Sequence, residues 1–145
     1  DLNVPVIIMH IKGKPEDMQV APHYDDVVSE IKEYFRERIK YAKSQGVREE
    51  NIIIDPGIGF GKRVEDNLKI IKNLEEFKEF KRPILIGTSM KTFIGVVTQS
   101  PLGERLSGTL ASVAISIWNG ADIVRVHNVK ETKKVVDLVY AIKMS

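Results

Sequence analysis

The stretch Asn51–Lys62, N-I-I-I-D-P-G-I-G-F-G-K, constrains the fold of this chain more than any other. Its three isoleucines, 52 to 54, are typical of a strand that is buried on both faces, as in parallel sheets. The strand ends on a carboxylate, Asp55, and the glycines at 57, 59 and 61 allow sharp turns and a close approach to a ligand. Ligands of α/β folds bind at this carboxyl end of the strands, so the stretch predicts a binding site.

The glycine spacing excludes two common phosphate-binding motifs. A P-loop needs one more residue between its glycines than Gly57 and Gly61 leave, and it needs Ser or Thr where Arg63 stands. The dinucleotide pattern G-x-G-x-x-G is not matched either. For the glycines alone, an ordinary turn beside a solvated carboxylate is the alternative interpretation.

Composition and net charge limit the class of protein and the partners that can be expected. The chain has 145 residues, of which 43% are hydrophobic, and a formal net charge of +2. This charge favours neither nucleic acid nor a membrane surface as a partner. It has no cysteine, which excludes disulfides and cysteine metal sites and leads us to expect a cytoplasmic protein. No apolar run approaches the roughly 20 residues of a membrane span.

Short apolar runs alternate with helical patterns along the whole chain. The runs predicted as strands are Val4–Met9, Ile52–Ile54, Pro83–Gly87 and Asp122–His127. The predicted helices are Tyr24–Ser44, Glu65–Phe80, Gly103–Asn119 and a last one that begins with a capping box of Asn128 and Glu131. This alternation predicts an α/β fold with a parallel sheet, in one domain over residues 1–145.

Four βα units are half of a (β/α)8 barrel, and they could also form a small doubly wound sheet that is complete in itself. All four strands end in polar or ligand-capable residues, which favours a barrel rim. The first helix is predicted to have one apolar face, with Val27, Ile31, Phe35, Ile39 and Ala42. The second is predicted to face inward with Leu68, Ile71, Leu74 and Phe77, and the last carries the apolar residues Val135, Leu138, Val139 and Ile142.

The strand ends carry a set of groups suited to a flat, nitrogen-rich heterocycle with an anion. A buried Asp55 can accept from an amino group and a ring N–H, and Lys91 can donate to a carbonyl or ring nitrogen. Arg125 and His127, two apart on a strand, project on the same side and suit a phosphate or diphosphate. Phe60 can stack on a ring. A structural ion-pair network of Asp55, Lys91 and Arg125 is the alternative.

The remaining histidines are interpreted as structural. His10 is expected to pack in the core and His23 to lie just before a helix. Three histidines on separate elements are too scattered to predict a zinc site, and no metal ligand is assigned.

These residues resemble one enzyme family. The segments V-I-I-M-H at 6–10, D-P-G-I-G-F-G-K at 55–62, G-T-S-M-K-T-F-I-G at 87–95, R-L-S-G-T at 105–109 and G-A-D-I-V-R-V-H at 120–127 are similar, in order, to the C-terminal half of dihydropteroate synthase. The resemblance implies the C-terminal half of a (β/α)8 barrel. It also implies condensation of 6-hydroxymethyl-7,8-dihydropterin pyrophosphate with p-aminobenzoate in folate biosynthesis, with Mg2+ as cofactor.

The resemblance also implies roles for residues. Those of the catalytic group are Lys91, Arg125 and His127, and those of the substrate-binding group are Asp55, Phe60, Met9, Gly87, Thr92 and Lys62. Phe60 and Thr92 would meet p-aminobenzoate, which is also the sulfonamide site. Lys62 adds a cation beside the glycine loop, although it could simply be solvated.

The chain departs from the family at a few positions. Met90 replaces a usual Arg, Asn128 a frequent Asp, and Thr92 a common Ser whose hydroxyl it keeps. The family's N-terminal half is not present in the sequence, so we expect it as a partner, on the same or a separate chain. A homodimer formed through late helices, including the one with Leu106 and Ile117, is also expected. The alternatives are a non-catalytic half-barrel that binds pterin or another chain, and a pterin-dependent methyltransferase.

Overall fold

The computed structural model describes residues 3–145 except 15, 17 and 19, so five positions of the predicted domain (1, 2, 15, 17 and 19) lie outside the described residues. Four strands alternate with helices. The strands are β1 (Val6–Met9), β2 (Ile52–Asp55), β3 (Leu85–Ile86) and β4 (Ile123–Val124). The α-helices are α1 (Val27–Ser44), α2 (Val64–Lys72), α3 (Thr92–Thr98), α4 (Leu106–Trp118) and α5 (Val129–Met144).

The sheet consists of two parallel ladders. β1 pairs with β2, with Met9 opposite Asp55, and β3 pairs with β4. Within the described residues, one isolated parallel bridge, Ile54–Ile84, joins the ladders. Because all these pairings are parallel, the carboxyl ends of the strands meet at one edge, as the apolar runs predicted.

The core lies between the sheet and α1 and α2. Ile31, Phe35, Ile52 and Ile54 are fully buried, and the ring of Phe35 packs edge-on against Phe77 with 5.9 Å between the centroids. The apolar stripe predicted for the first helix is therefore confirmed at Ile31 and Phe35.

The first helix begins three residues later than predicted. Asp26 is its N-cap, and its side chain accepts from the N–H of Val28 at 3.2 Å. Tyr24 precedes the cap and is buried, and its hydroxyl donates to the carbonyl of Gly61 at 2.7 Å. Tyr24 thus ties the start of α1 to the glycine loop.

The second predicted helix, Glu65–Phe80, is interrupted. α2 ends at Lys72, and a 3-10 helix over Leu74–Phe80 follows Asn73. Leu68, predicted to face inward, is 44% exposed. Asn67 takes the buried position instead, because its Oδ1 accepts from the N–H of Gly59 at 2.8 Å.

The last part of the chain differs most from expectation. α3 was not predicted, and the strands β3 and β4 are shorter than Pro83–Gly87 and Asp122–His127. Asn128 makes no side-chain cap hydrogen bond. Its ψ of 75° is outside the extended conformation that is typical of an N-cap, so the predicted capping box is not formed.

α5 packs against α4 and leaves much of its apolar surface exposed. Leu138 and Ile142, two of the apolar residues on this helix, are 63% and 53% exposed. On α4, the buried face is largely polar, with Thr109, Ser112 and Ser116. In the described part of the chain, no helix has the length and apolar character needed to cross a membrane.

Candidate functional site

A cavity of about 430 Å³ opens at the carboxyl ends of the strands. It brings together seven of the nine predicted site residues: Met9, Asp55, Phe60, Gly87, Lys91, Arg125 and His127. Ile58, Ser89 and Val126 complete the lining. The parallel ladders explain this convergence, because each strand delivers the residues that follow it to the same edge.

The glycine loop forms one wall of the cavity. Gly57, Gly59 and Gly61 all have positive φ angles, of 73°, 80° and 64°. A Cβ on Gly57 would overlap the carbonyl oxygen of His10, so the loop lies directly against the end of β1. Glycine is required there both for the backbone angle and for the space.

Asp55 faces the cavity from the end of β2. Its Oδ1 accepts from the N–H of Gly57 at 2.8 Å. Burial raises the pKa of Asp55, while the Gly57 N–H and the nearby cations Lys91, Lys62 and Arg125 act in the opposite direction. A ligand that donates hydrogen bonds to Asp55 therefore stabilises its ionised form.

Lys91 crosses the cavity toward the glycine loop. Its Nζ donates to the carbonyl of Ile58 at 2.8 Å and lies 4.3 Å from the ring centroid of Phe60. Burial lowers the pKa of Lys91, as does Arg125, and Asp55 opposes them. Lys91 thus presents a poorly solvated donor to a ligand.

The charged groups of the cavity are not paired with each other. The ion pairs formed by described residues do not include Asp55, Lys91 or Arg125. This arrangement contradicts the alternative of a structural ion-pair network and leaves both signs of charge facing one space.

Ser89 orients the ring of His127. Its Oγ accepts from the backbone N–H of His127 at 3.2 Å and lies 2.8 Å from the ring Nδ1. The hydroxyl can donate to Nδ1 or accept from it, according to the tautomer of the ring, and in both cases the contact fixes the orientation of the ring. Ser89 was recognised at a strand end, but sequence reasoning gave it no role.

Two predicted site residues lie outside the lining. Thr92 is exposed at the first position of α3. Lys62 is only 4% exposed, which contradicts the alternative of a solvated lysine. Its Nζ lies 3.0 Å from Nδ1 of His10 and donates to the carbonyl of Phe60 at 2.9 Å.

Lys62 and His10 form a buried pair behind the glycine loop. Burial lowers the pKa of Lys62 to about 7, and burial together with Lys62 lowers the pKa of His10 to about 3. His10 is 5% exposed and packs edge-on against Tyr34, with 5.0 Å between the centroids. The prediction of a packing histidine is confirmed, whereas His23 is an exposed partner of Asp25.

The donor set does not resemble a metal centre. Within the described ranges, no group of three or more His, Asp or Glu side chains is arranged to hold a metal ion. Asp55 is the one carboxylate among the residues that line the cavity, whereas Mg2+ takes oxygen ligands in octahedral geometry.

A family described as "pterin binding enzyme" matches residues 1–127. The chain belongs to this pterin-binding family. It is 43% identical over 141 residues to dihydropteroate synthase of Escherichia coli K12, covering 97% of this chain and 50% of the relative. It is 42% identical over 139 residues to the Bacillus subtilis enzyme of that name, covering 96% of this chain and 46% of the relative.

Solved structures agree with the family assignment. A Yersinia pestis dihydropteroate synthase in a sulfonamide complex superposes with a TM-score of 0.96 at 35% identity, covering 98% of this chain and 52% of that one. A Xanthomonas albilineans dihydropteroate synthase in complex with 7,8-dihydropteroate gives 0.91 at 35% identity, covering 99% and 52%. The chain thus spans about half the length of these pterin-binding relatives.

Proposed function

We propose that this chain is the C-terminal half of a dihydropteroate synthase, which joins 6-hydroxymethyl-7,8-dihydropterin pyrophosphate to p-aminobenzoate and releases diphosphate. One observation carries the proposal. Asp55, Lys91, Arg125 and His127 line a single cavity in a chain that is 43% identical to a relative of that name. The acidic and basic groups match the two ends of such a substrate.

The pterin end is assigned to Asp55 and Lys91. The carboxylate accepts from the amino group and ring N–H of the pterin, and the ammonium donates to its carbonyl and ring nitrogen. Met9 and Gly87 lie against the same ligand. Burial strengthens these contacts because water does not compete with them.

The diphosphate end is assigned to Arg125 and His127. The C–O bond to the leaving group breaks, its electron pair departs with the diphosphate, and the methylene carbon becomes a cation that is delocalised over the pterin. The guanidinium and a ring N–H of His127 stabilise the charge that develops on the leaving oxygen. The amine of p-aminobenzoate then attacks the methylene carbon, and its extra proton passes to water.

The second substrate is assigned to the side of Phe60. The ring of Phe60 offers a face to the benzoate ring, and Thr92 offers a hydroxyl at the rim for the carboxylate. Holding the weakly nucleophilic amine in line with the methylene carbon supplies much of the rate.

Mg2+ is the cofactor that the resemblance to dihydropteroate synthase implies. The described residues do not fit a Mg2+ site of their own, since the cavity offers one carboxylate.

The fold is interpreted as half of a (β/α)8 barrel. Among the described strands, β1 pairs with β2 alone and β4 with β3 alone, so both outer edges of the sheet are open to further strands. The N-terminal half, on the same or a separate chain, is the partner proposed for these edges.

A homodimer through α4 completes this proposal, together with a cytoplasmic location. Ile115 and Trp118 on α4 are 52% and 57% exposed, which suits an interface. Phe80 packs against Phe35 in the core, with 5.7 Å between the ring centroids, so it is not part of that surface.

The test is turnover by the complete protein. Lys91→Ala and Asp55→Asn are expected to lower p-aminobenzoate incorporation by at least about 100-fold, and Lys40→Ala, an exposed lysine on α1, to leave it unchanged. Unchanged turnover in both site variants would contradict the proposal. Pterin binding without product by the complete protein would instead favour the non-catalytic alternative.

A further inference from the structure

The R-L-S-G-T segment, Arg105–Thr109, does not line the cavity, yet it contacts the turn that does. Nη1 of Arg105 donates to the carbonyl of Met90 at 3.0 Å. The Oγ1 of Thr109 accepts from the N–H of Met90 at 3.0 Å. Both polar groups of the Met90 backbone are therefore held from the start of α4.

Met90 needs such support. Its φ is +59°, a left-handed conformation that costs free energy for any residue with a Cβ. Its neighbours in sequence are Ser89, which orients His127, and Lys91, which reaches Ile58. The conformation of Met90 sets the direction in which the chain leaves Ser89 and enters Lys91.

Arg105 and Thr109 also lie where α3 packs against α4. Thr109 is fully buried. A Cβ on Gly95 would collide with the guanidinium of Arg105, and a Cβ on Gly108 would overlap Ile94. Arg105 also donates from Nε to the carbonyl of Ser100 at 3.3 Å. The guanidinium is thus fixed between Met90 and the end of α3.

We propose that Arg105 and Thr109 are positioning residues that clamp the Met90 peptide and thereby place Lys91 and the Ser89–His127 pair in the cavity. For the reaction, this inference rests on the function proposed above. The clamp acts on the backbone conformation of Met90, so its effect on the site can be measured without substrate.

Substitutions of Thr109 in the complete protein test the clamp. Thr109→Val keeps the shape and removes the acceptor, so kcat/KM is expected to fall about tenfold. Thr109→Ser keeps the hydroxyl and should recover activity to within about twofold of the unsubstituted protein.

Thr132→Val is the matched control. Thr132 is also a buried helical threonine, and its Oγ1 has no hydrogen-bond partner among the described residues. The same isosteric change there should leave kcat/KM unchanged. Equal losses in the Thr109→Val and Thr132→Val proteins would overturn the clamp.

Met90→Gly supplies a second, independent test. Glycine adopts positive φ without the Cβ penalty, so Thr109→Val is expected to cost only about threefold when it is made in the Met90→Gly protein. An undiminished tenfold loss in that background would show that Thr109 does not act through Met90.

The ring resonances of His127 give a readout without turnover. In 15N imidazole spectra, assigned with His127→Gln, Thr109→Val should shift the His127 signals and Thr132→Val should not. Unshifted signals in a folded Thr109→Val protein would overturn the proposal. If the unsubstituted complete protein shows no turnover, the proposed function fails, and these spectra still decide the clamp. Arg105→Gln is assessed in the same way if Thr109→Val does not fold.

Discussion

Lys91 and Lys62 lie on opposite sides of one glycine loop, and both act electrostatically on Asp55. Lys91 lines the cavity, where its Nζ contacts the Ile58 carbonyl and the Phe60 ring. Lys62 lies behind the loop, 4% exposed, between His10 and the Phe60 carbonyl. Residue type does not separate these roles, whereas the side of the loop on which each lysine lies does.

The difference shows how the loop divides binding from support. Both lysines lose hydration on burial, and the pKa of each falls for that reason. The contacts of Lys62 are all internal, so it stabilises the loop whether or not a ligand is bound. Lys91 keeps the cavity on one side, so a ligand can complete its hydrogen bonding.

The largest effect on stability is expected from a substitution in the glycine loop itself. Gly57→Ala forces a Cβ onto the carbonyl of His10 at a φ of +73°, and we expect a loss of about 3 kcal/mol or more in the free energy of unfolding. Gly46→Ala is the control, since Gly46 has a φ of +85° and open space around its Cβ. It should cost about 1 kcal/mol, as measured by urea unfolding. Equal costs would mean that contact with β1 does not hold the loop.

Exchanging each lysine for methionine sharpens the comparison. Above pH 7, Lys62→Met leaves His10 and the Phe60 carbonyl without a donor and should lower the free energy of unfolding by about 2 kcal/mol. Lys91→Met should change it by less than about 1 kcal/mol while weakening binding of a pterin diphosphate by about 100-fold. Unfolding curves and calorimetric titration of the complete protein measure both. The reverse pattern would exchange the two roles.

The pH dependence of stability isolates Lys62. In the folded protein its pKa is about 7, against 10.5 for an unperturbed lysine, so between these values the unfolded chain binds the extra proton. The free energy of unfolding should therefore rise with pH in this window, by up to about 1.4 kcal/mol per pH unit. The difference between the unsubstituted protein and Lys62→Met, followed from about pH 7 to pH 9, should carry this slope. A flat difference would indicate an ordinary pKa for Lys62.

The smallest effect is expected at Ser89. Ser89→Ala removes the hydroxyl that lies 2.8 Å from Nδ1 of His127 and accepts from its backbone N–H. The ring is then less firmly oriented, so kcat/KM should fall about fivefold. Stability should be nearly unchanged. A loss as large as that of Lys91→Met would make Ser89 part of the binding group and not only a support for His127.

Much of the fold follows from apolar periodicity alone. The buried isoleucines of β2 and the stripe with Ile31 and Phe35 on α1 are where the sequence predicts them. The helix α3 was missed because it has seven residues, with a glycine and five β-branched residues among them, which is a weak helical pattern. The exposure of Leu68 accompanies a tertiary hydrogen bond from the N–H of Gly59 to the buried side chain of Asn67, which periodicity does not contain.

The convergence of the polar cavity residues could be predicted, because each of them lies at or after the end of a strand. Asp55, Lys91, Arg125 and His127 meet in one cavity, as the strand order implies. Ile58 and Val126 also line it, and apolar residues in loops carry no comparable signal. Lys62 was grouped with the substrate-binding residues because sequence gives its distance from the loop but not the side on which it lies.

Residues from both ladders line the cavity, so a bound ligand would contact both parts of the sheet. In the described part of the sheet, Ile54–Ile84 is the bridge that joins them. Asp55 belongs to the first ladder, and Arg125 follows the last strand of the second, with its N–H bonded to Ile86. A ligand bound by both Asp55 and Arg125 would therefore add a connection between the ladders, beside the Ile54–Ile84 bridge, the hydrogen bond from Lys91 to the Ile58 carbonyl and the packing beneath them.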